Sequence, residues 1–156
     1  LFQSAGLVLA DTQNDISSGE AVSIIKDYET AYMNRNLDKM IEYVDQSSNW
    51  FKKVFLDEFG AIFKQFTNIY LYHFGKKQVF YIADGVEIIQ NTLYVAYSSS
   101  LTDINELKEN YYLKKVDGKY KIADYSLSYA GNFFFFFRRG ERQEAYFKRG
   151  CFSYAS

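Results

Sequence analysis

Hydrophobic positions in the first half of the chain recur every three or four residues, which is the spacing of amphipathic helices. Polar residues that suit helix caps stand between these runs. Three helices are predicted: 20–35 with Ser17 or Ser18 as its cap, 37–44 with Asn36 as its cap, and a third that begins after Ser48 and ends near Phe66. The apolar face of the third helix is mostly aromatic. Residues 20–66 are therefore predicted to be mainly helical.

From Asn68 the pattern changes to short runs rich in Tyr, Ile and Val with period two, which is typical of strands. The predicted strands are 68–74, 78–83, one extended region made of 86–89 and 92–100, then 107–116 and 119–127. Turns are predicted at Gly75-Lys76-Lys77, Asp84-Gly85 and Asp117-Gly118, and a polar loop over 101–106. Helices followed by antiparallel strands indicate an α+β fold. We expect three N-terminal helices packed in the concave face of a curved antiparallel sheet, a cystatin-like cone.

Aromatic residues make up 20% of the chain, so most of them must be buried. The apolar faces of the third helix and the last strand are expected to meet in one core. Its predicted members are Trp50, Phe55, Phe59, Ile62, Tyr120 and Ile122.

Composition narrows the class of protein. A length of 156 residues suits one domain, and a formal net charge of −1 argues against a nucleic-acid partner. The single Cys cannot close a disulfide within the chain. Glycine-rich phosphate loops and the usual metal-ligand spacings are absent from the sequence, so neither a metal nor a cofactor is expected.

The two ends differ from the middle. Residues 1–19 are predicted to be an N-terminal arm or a signal remnant, since residues 7–10 before Asp11 resemble the end of a secretory signal. This predicts an extracytoplasmic location, secreted or membrane-anchored. Residues 131–156 form an aromatic and basic tail in which five consecutive Phe precede Arg138. The tail is interpreted either as an extra strand that supports self-association or as a disordered, non-native end, and membrane contact is expected only through it or through an upstream segment.

Residues 20–130, the predicted main domain, resemble the nuclear transport factor 2-like superfamily. The resemblance rests on the helix break before Leu37-Asp38 and on the closing sequence "ENYYLKKVDGKYKIADYS", where Tyr120-Lys121-Ile122 follows a Gly turn. The stretch from Asp45 to Trp50 is similar to extracytoplasmic domains of bacterial membrane-anchored proteins. The resemblance implies a cone of bent antiparallel sheet around helices. It leaves function open, because such domains serve as enzymes, ligand binders or assembly modules.

Enzymes of this kind that resemble steroid isomerases and polyketide cyclases need an acid or base inside an apolar cone. Asp124 is the candidate, because it shares strand parity with Tyr120 and Ile122. Tyrosine hydroxyls could act as donors to a polarised carbonyl. The predicted ligand-binding residues are Tyr28, Tyr32, Tyr94, Tyr112 and Asp124. The alternative is that Asp124 is solvated near a strand end and that the tyrosines serve packing.

Two further residues carry potential chemistry. His73, the single His, is interpreted as a surface strand residue without acidic neighbours in sequence. Cys151 lies in the tail and is interpreted as inert or as an accidental crosslinker. The leading hypothesis is a non-catalytic domain that binds a small apolar ligand or a protein partner. A further interpretation is a pure assembly module that forms a homodimer through the outer face of its sheet. The alternative is a small cofactor-free isomerase or cyclase-like enzyme that uses Asp124 with tyrosine donors.

Overall fold

The computed structural model describes residues 15–129 and the backbone of Phe135–Arg138. The helices are α1 (Ser18–Met33), α2 (Leu37–Ile41) and α3 (Leu56–Gln65), the last preceded by a π-helical segment (Phe51–Phe55). Ser17 caps α1, accepting a hydrogen bond from the Glu20 N–H while Glu20 bonds back to the Ser17 N–H at 2.8 Å. Asn36 caps α2 through the Lys39 N–H at 3.0 Å. Both predicted caps are confirmed.

Four long antiparallel strands form the sheet in the order β1-β2-β3-β4. They are β1 (Asn68–Ile82), β2 (Gly85–Tyr97), β3 (Leu101–Val116) and β4 (Lys119–Tyr129). The sheet is curved and open, with the helices on one side. The predicted α+β class and cone architecture are thus confirmed.

Two predicted interruptions are wrong. The turn at Gly75-Lys76-Lys77 is an irregularity inside β1, because Phe74 pairs with Asn91 while Gln78 pairs with Ile89. The polar loop over 101–106 is the start of β3. The polar residues of this segment resemble a loop in sequence. The inward-facing ones, such as Asn105, are polar because they line a cavity rather than an apolar core.

The turn at Asp117-Gly118 is confirmed. Both residues have positive φ, 49° and 81°, as a two-residue hairpin loop with the twist of its strands requires. This hairpin joins β3 to β4, so it sets the register of the two strands that bound the cavity.

The core joins the helices to the sheet as predicted. Trp50, Phe55, Phe59 and Ile122 are buried in one cluster, and Ile62 and Tyr120 pack against it. The segment after α2 is tied directly to β4, since the Asp45 N–H donates to the Ile122 oxygen at 2.8 Å. The aromatic face of α3 therefore closes the concave side of the sheet.

A short strand, β5 (Phe135–Arg138), pairs with β3 at Leu101–Ile104. Four residues of the predicted tail thus add a short strand to the sheet beside the start of β3. The N-terminal arm up to residue 14, the rest of the tail and Cys151 lie outside the described residues. Within the described part, no helix has the length and apolar character needed to cross a membrane.

Candidate functional site

A cavity of about 370 Å³ lies between the helices and the concave face of the sheet. Aromatic and aliphatic side chains form most of its wall, and a few carboxylates interrupt them. Three of the predicted ligand-binding residues line it: Tyr28, Tyr32 and Tyr94. The other two, Tyr112 and Asp124, do not.

A β-bulge puts Asp124 on the outer face of the sheet. Tyr112 pairs with Asp124, but the next residue, Leu113, pairs with Ile122, so Ala123 is left without a residue opposite. Because side chains alternate along a strand, one extra residue reverses the face of everything beyond it. The expectation that Asp124 shares the inward face of Ile122 is therefore wrong.

Outside the cone, Asp124 and Tyr112 border a separate shallow depression together with Lys114. The Asp124 carboxylate accepts a hydrogen bond from the Tyr125 N–H at 2.9 Å. The Tyr112 hydroxyl donates to the backbone oxygen of Asp84 at 3.4 Å, and burial raises the pKa of Tyr112 to about 12. The structure brings neither residue to the cavity.

The bulge also turns Tyr125 inward, where it meets a row of polar residues that crosses the sheet. Opposite pairs in this row are His73 with Thr92, Gln90 with Glu109, and Tyr111 with Tyr125. Glu29 approaches the row from the buried face of α1. Four members of the network are buried polar residues: Glu29, Gln90, Thr92 and Glu109.

Glu29 is bonded on both of its oxygens. Its Oε2 lies 2.7 Å from His73 Nε2, and its Oε1 accepts from Gln90 Nε2 at 2.5 Å and from the Tyr111 hydroxyl at 3.3 Å. The prediction that His73 is a surface strand residue is confirmed, since it lies in β1 and is exposed. It nevertheless has an acidic partner, Glu29, which the neighbouring sequence does not reveal. Its partner lies 44 residues away on α1.

Glu109 is the carboxylate that links this network to the cavity, which it lines. Its Oε2 accepts hydrogen bonds from Tyr125 at 2.7 Å and from Tyr111 at 3.1 Å. Gln90 Nε2 lies 3.3 Å from Oε1. The arrangement is a buried carboxylate with tyrosine donors, the chemistry expected for Asp124, built on a different residue.

The protonation of Glu109 is controlled by its surroundings. Burial raises the pKa of Glu109, and the neighbouring Glu29 charge raises it further, against the lowering effect of hydrogen bonds from Thr92, Tyr125 and Gln90. Among the described residues, no Lys or Arg forms an ion pair with Glu29 or Glu109. Two carboxylates in one buried site then favour retention of a proton.

The surrounding tyrosines remain hydroxyl donors at neutral pH. Burial, reinforced for each by a nearby Glu109 charge, raises the pKa of Tyr28, Tyr111 and Tyr125 well above its ordinary value. The cavity also contains Glu58 and Asp103, whose pKa values burial raises.

One acceptor in the cavity wall is free. Asn105 donates to the Asp103 carboxylate at 2.5 Å, but its own Oδ1 is buried and has no hydrogen-bond partner among residues 15–129. A buried acceptor without a donor is costly. A ligand carrying a hydroxyl or N–H group would satisfy it.

Glu29, His73 and Glu109 each offer a ligand atom, and these three atoms lie within 4.8 Å of one another. Within the part of the chain that the structure describes, this is the group of side chains that could hold a metal ion. The His73–Glu29 hydrogen bond and the donors on both carboxylates already occupy these atoms. A metal would have to displace that network, so the arrangement suits protons better than a cation.

The sequence held partial signals for these residues. Glu29 stands four positions after Ile25 on the apolar face of α1, and Glu109 has the same strand parity as Leu107 and Tyr111. Charged residues on apolar faces are unusual and indicate a partner or a function. Their meeting with His73 depends on strand register, which the sequence pattern does not provide.

No protein-family model matches the sequence, and no curated protein matches it. Solved structures do. A putative scytalone dehydratase from Novosphingobium aromaticivorans is 11% identical with a TM-score of 0.62, covering 83% of this chain and 91% of its own. A putative aromatic ring hydroxylase from the same organism has a TM-score of 0.62 at 9% identity, covering 71% and 87%.

A hexachlorocyclohexane dehydrochlorinase is similar with a TM-score of 0.53 at 10% identity, covering 80% of this chain and 93% of that one. Likeness at such low identity concerns the fold, which agrees with the strand order and the helix placement described above. The chain thus shares the cone-shaped α+β fold of these structures, which is the fold that the resemblance to the nuclear transport factor 2-like superfamily implies.

Proposed function

We propose that the cone cavity binds a small, largely apolar molecule and that Glu109 exchanges a proton with it, without a cofactor. The observation that carries this proposal is a buried carboxylate with a raised pKa in the wall of an aromatic cavity. Raising the pKa of a carboxyl brings its two protonation states closer to equal population near neutral pH, which suits the group to accept and donate protons. A volume of about 370 Å³ lies at the small end of ligand pockets, which run from roughly 300 to 1,000 Å³.

The proposed chemistry is proton abstraction from carbon followed by elimination or isomerisation. Ionised Glu109 takes a proton from a carbon next to an electron-withdrawing group. The electron pair left behind forms a carbon–carbon double bond, either as an enolate, with the negative charge on the carbonyl oxygen, or with loss of a leaving group as its anion. The Tyr125 and Tyr111 hydroxyls hold the Glu109 carboxylate in place.

Polar groups elsewhere in the wall suit a ligand with a hydroxyl or carbonyl group. The free Oδ1 of Asn105 would accept from a ligand hydroxyl. Glu58 and Asp103 have raised pKa values, so either can carry the proton that a departing hydroxyl requires. These groups make an oxygenated ring compound a better fit than a pure hydrocarbon.

The names of two structural neighbours support this class of reaction. A dehydratase removes water and a dehydrochlorinase removes hydrogen chloride, and both reactions are eliminations. The support concerns reaction class only, because the identities are 11% and 10%.

A non-catalytic ligand-binding domain is the second candidate, and one observation favours it. Both oxygens of Glu109 have protein donors within hydrogen-bond distance, Tyr125 and Tyr111 on one and Gln90 on the other. A carboxylate held in this way can serve to order the cavity. The extracytoplasmic location inferred from residues 7–10 would accompany this function and stays a proposal.

A homodimer through the sheet also stays a proposal. The outer face of β1 and β2 carries exposed apolar side chains on one surface: Tyr70, Tyr72, Phe74, Leu93 and Tyr97. Exposed patches of this kind commonly mark protein contacts. Solution mass by light scattering tests it, and a monomer at high protein concentration would contradict it.

Hydrogen–deuterium exchange into a carbon acid distinguishes the two functions. 2-Tetralone, a two-ring ketone with acidic protons next to its carbonyl, is incubated with the protein in D2O and followed by proton NMR. We expect exchange above the buffer rate, reduced by about 10²-fold or more in Glu109→Gln. Asp124→Asn is the matched control and should leave the rate unchanged.

Ligand binding is measured separately by saturation-transfer NMR. Binding of 2-tetralone without enzyme-dependent exchange would favour the non-catalytic candidate and contradict the proton-transfer proposal. Equal exchange rates in wild type and Glu109→Gln would contradict the role of Glu109.

A further inference from the structure

We propose that the ligand of the cone cavity carries a protonated amino group, which binds to the Asp103–Asn105 pair in the cavity wall. The proposal rests on the proton-transfer function above and names the class of its ligand, an ammonium group on a small ring skeleton. Two independent features carry it: the sign of the charged groups that line the cavity, and a buried acceptor that has no donor among residues 15–129.

The charged groups that line the cavity are all acidic. They are Glu58 on α3 and Asp103 and Glu109 on β3, and no Lys, Arg or His lines the cavity in the part of the chain that the structure describes. Neither Asp103 nor Glu58 forms an ion pair with another described residue. Carboxylates in a partly buried site attract a cation more strongly than they would in water. The cavity therefore favours a positively charged ligand group.

The Asp103–Asn105 pair presents hydrogen-bond acceptors to a ligand. Asn105 Nδ2 donates to Asp103 Oδ1 at 2.5 Å, which uses the amide donor and leaves Asn105 Oδ1 as an acceptor. This Oδ1 has no partner among the described residues, although Asn105 is only 5% exposed. An ammonium group has three N–H donors, a hydroxyl has one, and a carbonyl has none. An ammonium group can therefore satisfy Asn105 Oδ1 and the Asp103 carboxylate together.

Aromatic rings next to these carboxylates also suit a cation. Tyr94 stacks on Tyr32 with 6.4 Å between ring centroids. Burial is the main cause that raises the pKa of Tyr94 to about 12, and the charges of Asp103 and Glu58 add to it, so Tyr94 lies near both. The face of an aromatic ring attracts a cation held against it. A bound ammonium group would also favour the ionised form of Asp103, whose pKa burial raises.

The strand geometry separates the ammonium site from the reacting carbon. Asn105, Leu107 and Glu109 alternate along β3, and all three line the cavity. At a rise of about 3.3 Å per residue, Asn105 and Glu109 stand about 13 Å apart along the strand. One end of the cavity thus recognises charge through Asp103, while the other end transfers a proton through Glu109.

A matched pair of ligands tests the ammonium site. 2-Aminotetralin and 2-tetralol have the same two-ring skeleton, but the first is a cation at pH 7 and the second is a neutral alcohol. Each is titrated into the full chain by isothermal titration calorimetry. We expect 2-aminotetralin to bind about 10–100-fold more tightly, which is the range for a hydrogen bond to a charged group.

Variants locate the site within the cavity. Asp103→Asn removes the charge and nearly keeps the shape, so it should weaken 2-aminotetralin binding about 10–100-fold and leave 2-tetralol binding unchanged. Glu58→Gln removes a carboxylate from the helical wall and should weaken amine binding by a smaller factor. Asp124→Asn removes a charge outside the cavity and is the matched control, with no expected change for either ligand. Melting curves by circular dichroism establish that each variant is folded.

The outcomes distinguish the ammonium site from the function on which it rests. If 2-tetralol binds the wild type as tightly as 2-aminotetralin, or if folded Asp103→Asn keeps full affinity for the amine, the ammonium site is overturned while Glu109 retains its role. Absence of 2-tetralone exchange in the wild type, or full exchange in Glu109→Gln, would instead overturn the proposed proton transfer.

Discussion

His73 Nε2 and Glu29 Oε2 lie 2.7 Å apart although 44 residues separate them in sequence. The pair joins the inward face of β1 to the buried face of α1. It is one end of a polar network whose other end, Glu109, lines the cavity. The contact shows that the polar residues buried in this cone are connected to one another.

The pH dependence of stability should report the protonation of Glu109. Burial raises the pKa of Glu109 above its ordinary value of 4.5, so the folded state binds more protons than the unfolded state above that pH. The free energy of unfolding should then decrease as pH rises from 4.5 through the folded-state pKa. Urea unfolding at a series of pH values measures it.

Glu109→Gln is the comparison for that series, because it removes the titrating group and nearly preserves its shape. We expect the decrease in stability with pH to be smaller in this variant than in the wild type. Identical pH profiles for the two proteins would argue against a raised pKa of Glu109.

Phe59 is expected to be central to the core. It is buried and packs edge-on against Tyr32, with 5.0 Å between ring centroids, and at a tilt against Phe55, with 4.8 Å between centroids. Phe59→Ala should lower the free energy of unfolding by about 3–5 kcal/mol. Phe80→Ala removes an exposed ring and is the matched control, with a much smaller expected loss. Equal losses in urea unfolding would contradict the assignment of Phe59 to the core.

Two glycines should respond in opposite directions to the same substitution. A Cβ at Gly85 would overlap the backbone oxygen of Leu113 and lie 2.6 Å from Tyr112 Cε2, so Gly85→Ala should destabilise the sheet. A Cβ at Gly60 in α3 meets nothing within 4 Å, so Gly60→Ala should stabilise the protein by about 0.5–1 kcal/mol. Thermal melting measures both, and a shift of the same sign in both variants would contradict the packing described.

The unpaired residue of the bulge, Ala123, should be dispensable for the cavity. Deleting Ala123 removes the residue that has no partner on β3, and alternation from Ile122 then still turns Asp124 outward and Tyr125 toward Glu109. We expect 2-tetralone binding in saturation-transfer NMR to be retained in the deletion variant. Ala123→Gly keeps the residue count and is the matched control. Loss of binding in a folded deletion variant, with binding retained in Ala123→Gly, would contradict the strand pairing described.

Much of the fold could be predicted from local pattern. The capping box at Ser17 and the hairpin turn at Asp117-Gly118 are local features with strong sequence signals. For the site, the sequence predicted the type of chemistry, a buried carboxylate with tyrosine donors, but not the carboxylate that supplies it. Parity pointed to Asp124, but the bulge at Ala123 reversed it, and Glu109 takes the buried position instead.

The reason is physical. A bulge leaves one extra residue unpaired and has no distinctive composition, so its effect on every following side chain is hidden from the sequence pattern. The contact between His73 and Glu29 depends on how α1 crosses the sheet, which is a tertiary property. Polar residues such as Asn105 resemble a loop in sequence because they line a cavity inside a strand.

A crystal structure with 2-tetralone bound tests the central claim most directly. The account predicts that the ketone occupies the cone cavity with the carbon next to its carbonyl about 3–3.5 Å from a Glu109 carboxylate oxygen, the distance of a reactive arrangement. A ketone bound in the outer depression beside Asp124, or in the cavity with that carbon facing away from Glu109, would contradict it.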